Sequence, residues 1–518
     1  MTRWRLALAA IGLAAVAGVV ALLAHRPAPR EIVIFGGSDD PGTLDPQGID
    51  WGEQARITWS LFETLVKFGP DDARLEPGLA LEWTEADGGR AWTLALRPGV
   101  KFHDGTEFNA EAVVLAFERF RPGHPLAPPV AYYAHYYEGI ESIEAIDPTH
   151  VRFRLKGPNA LFLKNLAMFP AAIPSPAALR AAGPEAFGRA PVGTGPYRLK
   201  EWRPKEKIVL ERFPDYWGTP APLPSIAVLP IPDSAVRVQR LLDGEIDIMD
   251  NVSPSDLDRL EADPRVKVGY AVSMNIGYLG FNEKLHPYNH PDFRRAVAHA
   301  IDKRRLVAGP AFFGRAEPAV SIVPPSIEGH DPNVPEPAYD PAEARRLLAK
   351  VPDLPATVEL WHMAFSRPYF PDPDKVAQMI RQDLEAIGLK VRLSSFPRDA
   401  YSVRTHEETH PMILLGWSTD NADADNFLYP LLHRDAIGGT NVVFFDDPEF
   451  NETTRRQQTE LDPAARLELI RRAQRIYKER LPSIPLVHVR QAVAFRARLD
   501  FTLHPIETRL YTIRQLPP

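Results

Sequence analysis

The sequence predicts an α/β protein with some antiparallel additions, because strand-like and helix-like periodicities alternate along most of its 518 residues. The clearest unit is an apolar-aromatic strand at 358–363, then a helix carrying Val376, Ile380, Leu384 and Ile387, then Gly388 as its stop and LKVRL as a second strand. That is a β-α-β unit, which places its two strands parallel in one sheet. Hydrophobic residues make up 45% of the chain, ample for several cores. The length suggests roughly three domains or subdomains at ~150 residues each.

The elements follow in order. Arg3 and Arg5 precede an uncharged Ala/Leu/Val-rich run from Leu6 to Ala24, then His25, Arg26 and prolines, so residues 1–30 have the layout of a signal peptide for export. The run is also long enough to persist as an inner-membrane anchor. The chain has no cysteine, so it has neither a lipidated N-terminal Cys nor a disulfide, and stability outside the cytoplasm must come from core burial. Trp92, Leu94 and Leu96 alternate with Thr93, Ala95 and Arg97 before Pro98-Gly99, so 92–102 reads as a hairpin with one buried face. Asn109 caps a helix with Val113, Ala116, Phe117 and Phe120 facing inward. Asp340, Pro341 and Glu343 supply an N-cap, a first-turn proline and a capping-box acid before ARRLLAK. An apolar strand at 412–415 runs into GWSTDNADADNF. A late helix starts at Asp462-Pro463 and buries Leu469, Ile470, Ala473, Ile476 and Tyr477, and IPLVHVRQAVAF returns to strands.

The formal charge is −7, and residues 1–30 hold four arginines and no acid, so the chain from Glu31 onward carries −11. Basic residues are dispersed rather than clustered with aromatics, which argues against nucleic acid as a partner. The 53 prolines punctuate turns without forming a low-complexity tract. No G-x-x-x-x-G-K-[ST] occurs, so any ATPase lies in other subunits. His406-Glu407-Glu408-Thr409-His410 is a literal H-E-x-x-H, the zinc-peptidase pattern, but Pro411 ends any helix there and the second histidine falls at a frayed terminus. The spacing of Asn421, Asp423 and Asp425 hints at a calcium loop, yet Asn426 replaces the required glycine and Leu432 the bidentate glutamate. Asp423 and Asp425 read instead as caps of a helix beginning near Asn426.

Two motifs carry the chemistry. Trp417 and Asp420 sit where a strand opens into a loop, beside a cleft in this class of fold, and an aromatic face with a carboxylate suits an amine. In WHMAFSRPY, Arg367 follows another strand, and a guanidinium there suits a carboxylate. Together they describe a site for a zwitterion; the plainer readings are a surface arginine beside Pro368 and an acidic turn.

The blocks GVKFHDGTEFNAEAV, PVGTGPYRLKEW, VQRLLDGEIDIM, NIGYLGFN, FRRAVAHAID and GWSTDNADADNF occur in an order that resembles the family 5 extracellular solute-binding proteins, the peptide, nickel and related receptors of ABC importers. The likeness covers nearly everything after Ile32. It implies a two-lobed α/β fold with a hinge: lobe I at 31–272 with an extra subdomain at about 51–190, lobe II at 273–489, and a return to lobe I at 490–518. Hinge strands would lie near 272–282 and 486–492. By motif, Asp420 matches the residue that pairs with a peptide's ammonium and Arg367 the one that pairs with its carboxylate. Trp417, between Gly416 and Ser418, would pack over the ligand, and Tyr369 completes the SRPY segment. Trp51, Gly52 and Glu53 would contribute from lobe I, although GIDWGE departs from the Ser/Thr/Gly-rich loop of the peptide receptors. The implied protein is a periplasmic monomer that captures short peptides, dipeptides foremost, and hands them to an inner-membrane permease with its ATPase subunits. It needs no cofactor or metal and is not an enzyme. Rival readings are capture of haem or a nickel complex by the same fold, given 15 histidines, and the HEETH zinc peptidase.

Overall fold

A computed structural model describes residues 32–37, 40–49, 55–69, 73–500, 502–506 and 509–517. The Arg-flanked apolar run and the Trp51-Gly52-Glu53 loop lie outside the described residues. Among the described residues no helix is long and apolar enough to cross a membrane.

Two large sheets organise the chain. The first has seven strands in the order Val266–Tyr270, Ala492–Arg496, Ile248–Met249, Ile32–Gly37, Ser225–Pro230, Lys207–Arg212, Tyr197–Arg203. Ile32–Gly37 runs parallel to both of its neighbours, and the other pairs are antiparallel. The second has six strands in the order Ala316–Pro318, Ser483–Val489, Asn275–Gly280, Met412–Ser418, Val358–Met363, Val391–Phe396. Its last three strands are mutually parallel. This is the β-α-β unit read from the sequence: Asp372 caps the helix Pro373–Ala386 by accepting from the Lys375 amide. Gly388 turns the chain out of that helix at φ +97°, a conformation that excludes most side chains.

The chain passes from the first sheet to the second between Tyr270 and Asn275, and back between Val489 and Ala492. The two passages lie side by side. Ala271 N donates to Gln491 O at 3.0 Å. The Asn275 amide donates to Val489 O at 2.8 Å and accepts from Val489 N at 3.0 Å.

A four-stranded antiparallel sheet, Ala80–Ala86, Ala91–Leu96, His150–Leu155 and Ile140–Asp147, forms a third unit. Strand Ala91–Leu96 does not fold back at Pro98-Gly99; its partners are Ala80–Ala86 and His150–Leu155. The tight turn lies before it, at Asp87, Gly88 and Gly89, all with positive φ. The helix Ala110–Glu118 covers this sheet, capped by Asn109, with Val113, Ala116, Phe117 and Phe120 buried as the spacing predicts. One apolar core runs from this unit into the later helices through Phe162, Phe427, Leu428 and Tyr477. The helix Pro463–Arg480 is capped by Asp462 as expected. It buries Ile470, Ala473, Ile476 and Tyr477 but leaves Leu469 only half-buried.

Candidate functional site

The C-terminal ends of the three parallel strands face one cavity of about 540 Å³. Each end delivers a charge. Arg367 follows Val358–Met363, Arg398 follows Val391–Phe396, and Asp420 follows Met412–Ser418, and all three residues line the cavity. Strand ends are where side chains and loop backbone escape the ladder, so charged groups converge there without burial inside the sheet. Tyr133 and Tyr136, from the four-stranded unit, and Arg56 and Asp250, from the seven-stranded one, complete the walls. All three units therefore meet at this cavity.

Arg367 is seated by two glycines. Gly277 and Gly416 are register partners on adjacent strands. A Cβ on Gly277 would lie 2.6 Å from the Phe370 ring, and one on Gly416 would lie 2.4 Å from the Tyr369 ring. The glycine pair leaves a smooth patch on which Tyr369 and Phe370 rest, both buried. Arg367 and Phe370 exchange two backbone hydrogen bonds of 3.0 Å. The Arg367 Nε then donates to the Tyr369 hydroxyl at 3.3 Å, with the guanidinium 5.5 Å from the ring centre. Gly416 and Tyr369 thus support Arg367 from beneath.

The Asp420 loop is organised by Asn426, which is fully buried. Its Oδ1 accepts from Trp417 Nε1 at 2.9 Å and from the Asp420 amide at 3.2 Å. Its Nδ2 donates to the Tyr136 hydroxyl at 2.7 Å. Burial, then the nearby Asp420 and Asp425 carboxylates, push the Tyr136 phenol well above its ordinary range, so it stays neutral. Burial and Asp420 do the same to Tyr137. Ser418 lines the cavity, and its Oγ is buried with no hydrogen-bond partner among the described residues. On the opposite wall Arg56 pairs with Asp250, and its guanidinium stands 5.0 Å from the Phe35 ring centre.

Asp423 meets the first amide of its helix, its Oδ1 accepting from Asp425 N at 2.9 Å, but Asp425 lies within that helix rather than before it. The helix Asp425–Leu432 has Ala424 at its N-cap position without a side-chain cap. Asp423 also takes a bidentate pair of bonds from Arg466, at 2.6 and 3.0 Å, and one from Lys164 Nζ at 2.7 Å. Burial opposes its charge, but the two cations outweigh it and hold the carboxyl well below the usual range. Asp425 is pushed up to about 7, by burial and then by the Asp423 charge, against bonds from Gln457 and Gln458. The Asp423 carboxylate thus serves both a helix start and an ion-pair hub, and the sequence spacing alone does not reveal Lys164 and Arg466.

The H-E-x-x-H segment is no metal helix. The helix Arg398–Arg404 ends before His406. The His410 ring is buried between the carbonyl oxygens of Pro411 and Val442, at 2.8 and 2.6 Å, while His406 Nδ1 meets Ser402 O. Among the described residues no group of three or more potential ligands could hold a metal ion.

Gly416, Trp417, Ser418, Asp420, Arg367 and Tyr369 are thus brought together on one cavity. Arg398, Tyr136 and the Arg56–Asp250 pair were not singled out in the sequence. Arg398 had a legible signal, since it follows its strand as Arg367 does; the others enter only through long-range packing.

Over most of its length the chain is similar to known proteins. Residues 74–439 match the family model described as bacterial extracellular solute-binding proteins, family 5 Middle. The di/tripeptide-binding protein 3 of Pseudomonas aeruginosa strain UCBPP-PA14 is 33% identical over 476 residues, covering 88% of this chain and 89% of that protein. The heme-binding protein A of Haemophilus influenzae is 30% identical over 447 residues, covering 83% and 81%. Among solved structures, the dipeptide-binding protein from Pseudoalteromonas sp. SM9913 in complex with Met-Leu superposes with a TM-score of 0.86 at 28% identity, covering 93% of this chain and 99% of that one.

Proposed function

This chain belongs to the bacterial extracellular solute-binding proteins of family 5, and from that premise we propose that it captures short peptides, dipeptides foremost, between its two lobes and delivers them to an inner-membrane ABC permease. The observation that carries the reading is the presence of Arg367 and Asp420 on one cavity, each at the end of a parallel strand. A dipeptide zwitterion offers each a counter-ion. Asp420 takes the ammonium, Arg367 the carboxylate, and Trp417 packs against the chain between. The Ser418 hydroxyl serves a peptide N–H or C=O. The cavity of about 540 Å³ lies within the span of about 300–1,000 Å³ usual for ligand pockets, room for a short peptide and some bridging water.

Lobe I spans 31–272 with an extra subdomain at about 51–190 and returns at 490–518, and lobe II spans 273–489. The paired passages at 271–274 and 490–491 act as the hinge, because among the described residues the chain moves between the two large sheets only there. A ligand touching both lobes binds the closed form better and shifts the population toward it. The N-terminal run directs export to the periplasm, where the protein works as a monomer and makes or breaks no bond. The selected test is calorimetric titration with Ala-Leu, N-acetyl-Ala-Leu and Ala-Leu amide. Tight binding of the free dipeptide and loss with either block supports the reading. Equal binding of all three, or a shift of the haem absorption band on titrating haem with no response to Ala-Leu, refutes it.

A further inference from the structure

Asn426 does more than shape a loop. A side-chain amide whose oxygen receives two N–H donors and whose nitrogen meets a hydroxyl has one workable orientation, since flipping it would set NH₂ against both donors. Trp417 has a single polar atom, and Asn426 holds it. The same amide holds the backbone at Asp420 and reaches into another unit of the fold through Tyr136. Tyr136 belongs to the turn Ala134–Tyr136, and its ring stacks on Tyr133 with centres 6.0 Å apart. Tyr133 in turn packs edge-on against Phe169 at 5.0 Å. Further from the cavity, the same joint is reinforced by Asn421 Nδ2 donating to Asn165 Oδ1 at 3.0 Å, Lys164 to Asp423, and Ala160 N to Gln458 O at 2.8 Å. Of these contacts, only the Tyr136–Asn426 bond joins a cavity-lining residue to the amide that orients Trp417 and Asp420.

We propose that Asn426 is a positioning residue that couples ligand capture to closure: one amide orients Trp417 and the Asp420 loop and ties both to the Tyr133–Tyr136 wall, which another unit of the fold contributes to the same cavity. Ordering Asp420 and Trp417 around a ligand favours docking of Tyr136, and docking of Tyr136 prepares the ligand site, a reciprocity that linkage requires. The inference rests on Asp420 being a ligand anchor, and the test separates the two claims.

Asn426→Ala strips every bond at once and risks the fold, so Tyr136→Phe is the decisive variant. It removes only the far hydroxyl and leaves Trp417 and Asp420 held. Ala-Leu is titrated into wild type, Tyr136→Phe, Asp420→Asn and the double variant, with small-angle scattering of each ligand-free protein. Tyr136→Phe is expected to bind about tenfold more weakly, about 1.4 kcal/mol, through faster dissociation. The double variant is expected to lose several-fold less than the product of the single losses. Binding within twofold of wild type by Tyr136→Phe, or losses that simply multiply, overturns the coupling and leaves the peptide reading intact. If Asp420→Asn binds like wild type, or wild type ignores Ala-Leu, the peptide reading falls. The coupling is then judged on the ligand-free scattering: a larger radius of gyration in Tyr136→Phe supports it, and identical curves overturn it.

Discussion

Gly416→Ala tests how the Arg367 side of the site is built. The added Cβ would lie 2.3 Å from the Ile276 carbonyl oxygen, a backbone atom of the paired strand, and 2.4 and 2.5 Å from two atoms of the Tyr369 ring. Ordinary contact begins near 3.4 Å, so the ring must withdraw by about 1 Å and the strand pair must open. Neither move is easy. Tyr369 is 3% exposed and Phe370 is fully buried against Gly277. Overpacking of this kind costs about 1–3 kcal/mol, and the backbone clash puts Gly416→Ala at the upper end. Because Arg367 Nε is bonded to the Tyr369 hydroxyl, the displaced ring carries the guanidinium with it. Losing a hydrogen bond to a charged group is worth about 1.5–3 kcal/mol, or roughly one to two decades in affinity. The assay is Ala-Leu calorimetry beside urea unfolding, with Gly139→Ala as control, since a Cβ there meets nothing within 4 Å. If Gly416→Ala keeps wild-type stability and affinity, the glycine seat does not position Arg367 and the argument fails.

Asp420→Asn and Arg367→Ala should each weaken Ala-Leu binding by about 3–5 kcal/mol, two to four decades, because a buried ligand charge is left unpaired; calorimetry showing either within threefold of wild type is the contrary result. Arg466→Met should destabilise the protein more than Lys164→Met in urea unfolding, since Arg466 supplies two of the three bonds from cations to the Asp423 carboxylate. The reverse order would show that the Lys164 contact dominates. Asp425→Asn should stabilise the protein at pH 8 relative to pH 5. The folded carboxyl, pushed up to about 7, stands above an unfolded aspartate near ~3.9, so stability is lost as pH rises from about 4 to about 7 and the penalty is complete above that. The amide removes this loss, on the order of a few kcal/mol at most, and a difference from wild type that is the same at both pH values would contradict the assignment.

What the sequence by itself determined is what short-range chemistry controls. Asp340, Asp372 and Asp462 each precede a proline and cap a helix, because the cap satisfies amides two or three residues away. The strands at 358–363 and 412–418 end in Arg367 and in Trp417 with Asp420, because an apolar run followed by polar loop residues marks the mouth of a cleft without any knowledge of partners. What only the tertiary structure decided depends on residues distant in sequence. The strand Ala91–Leu96 pairs with Ala80–Ala86 through the turn before it and with the distant strand His150–Leu155, not across Pro98-Gly99. Asp423 became an ion-pair hub through Lys164 and Arg466, 259 and 43 residues away. Gly277 and Gly416 mean little apart, yet as register partners they seat Tyr369 and Phe370. Tyr136 reaches Asn426 across 290 residues. Periodicity and capping are local energies and can be read along the chain. Cross-sheet contacts depend on which surfaces meet once apolar burial has closed the fold, and no local pattern encodes that choice.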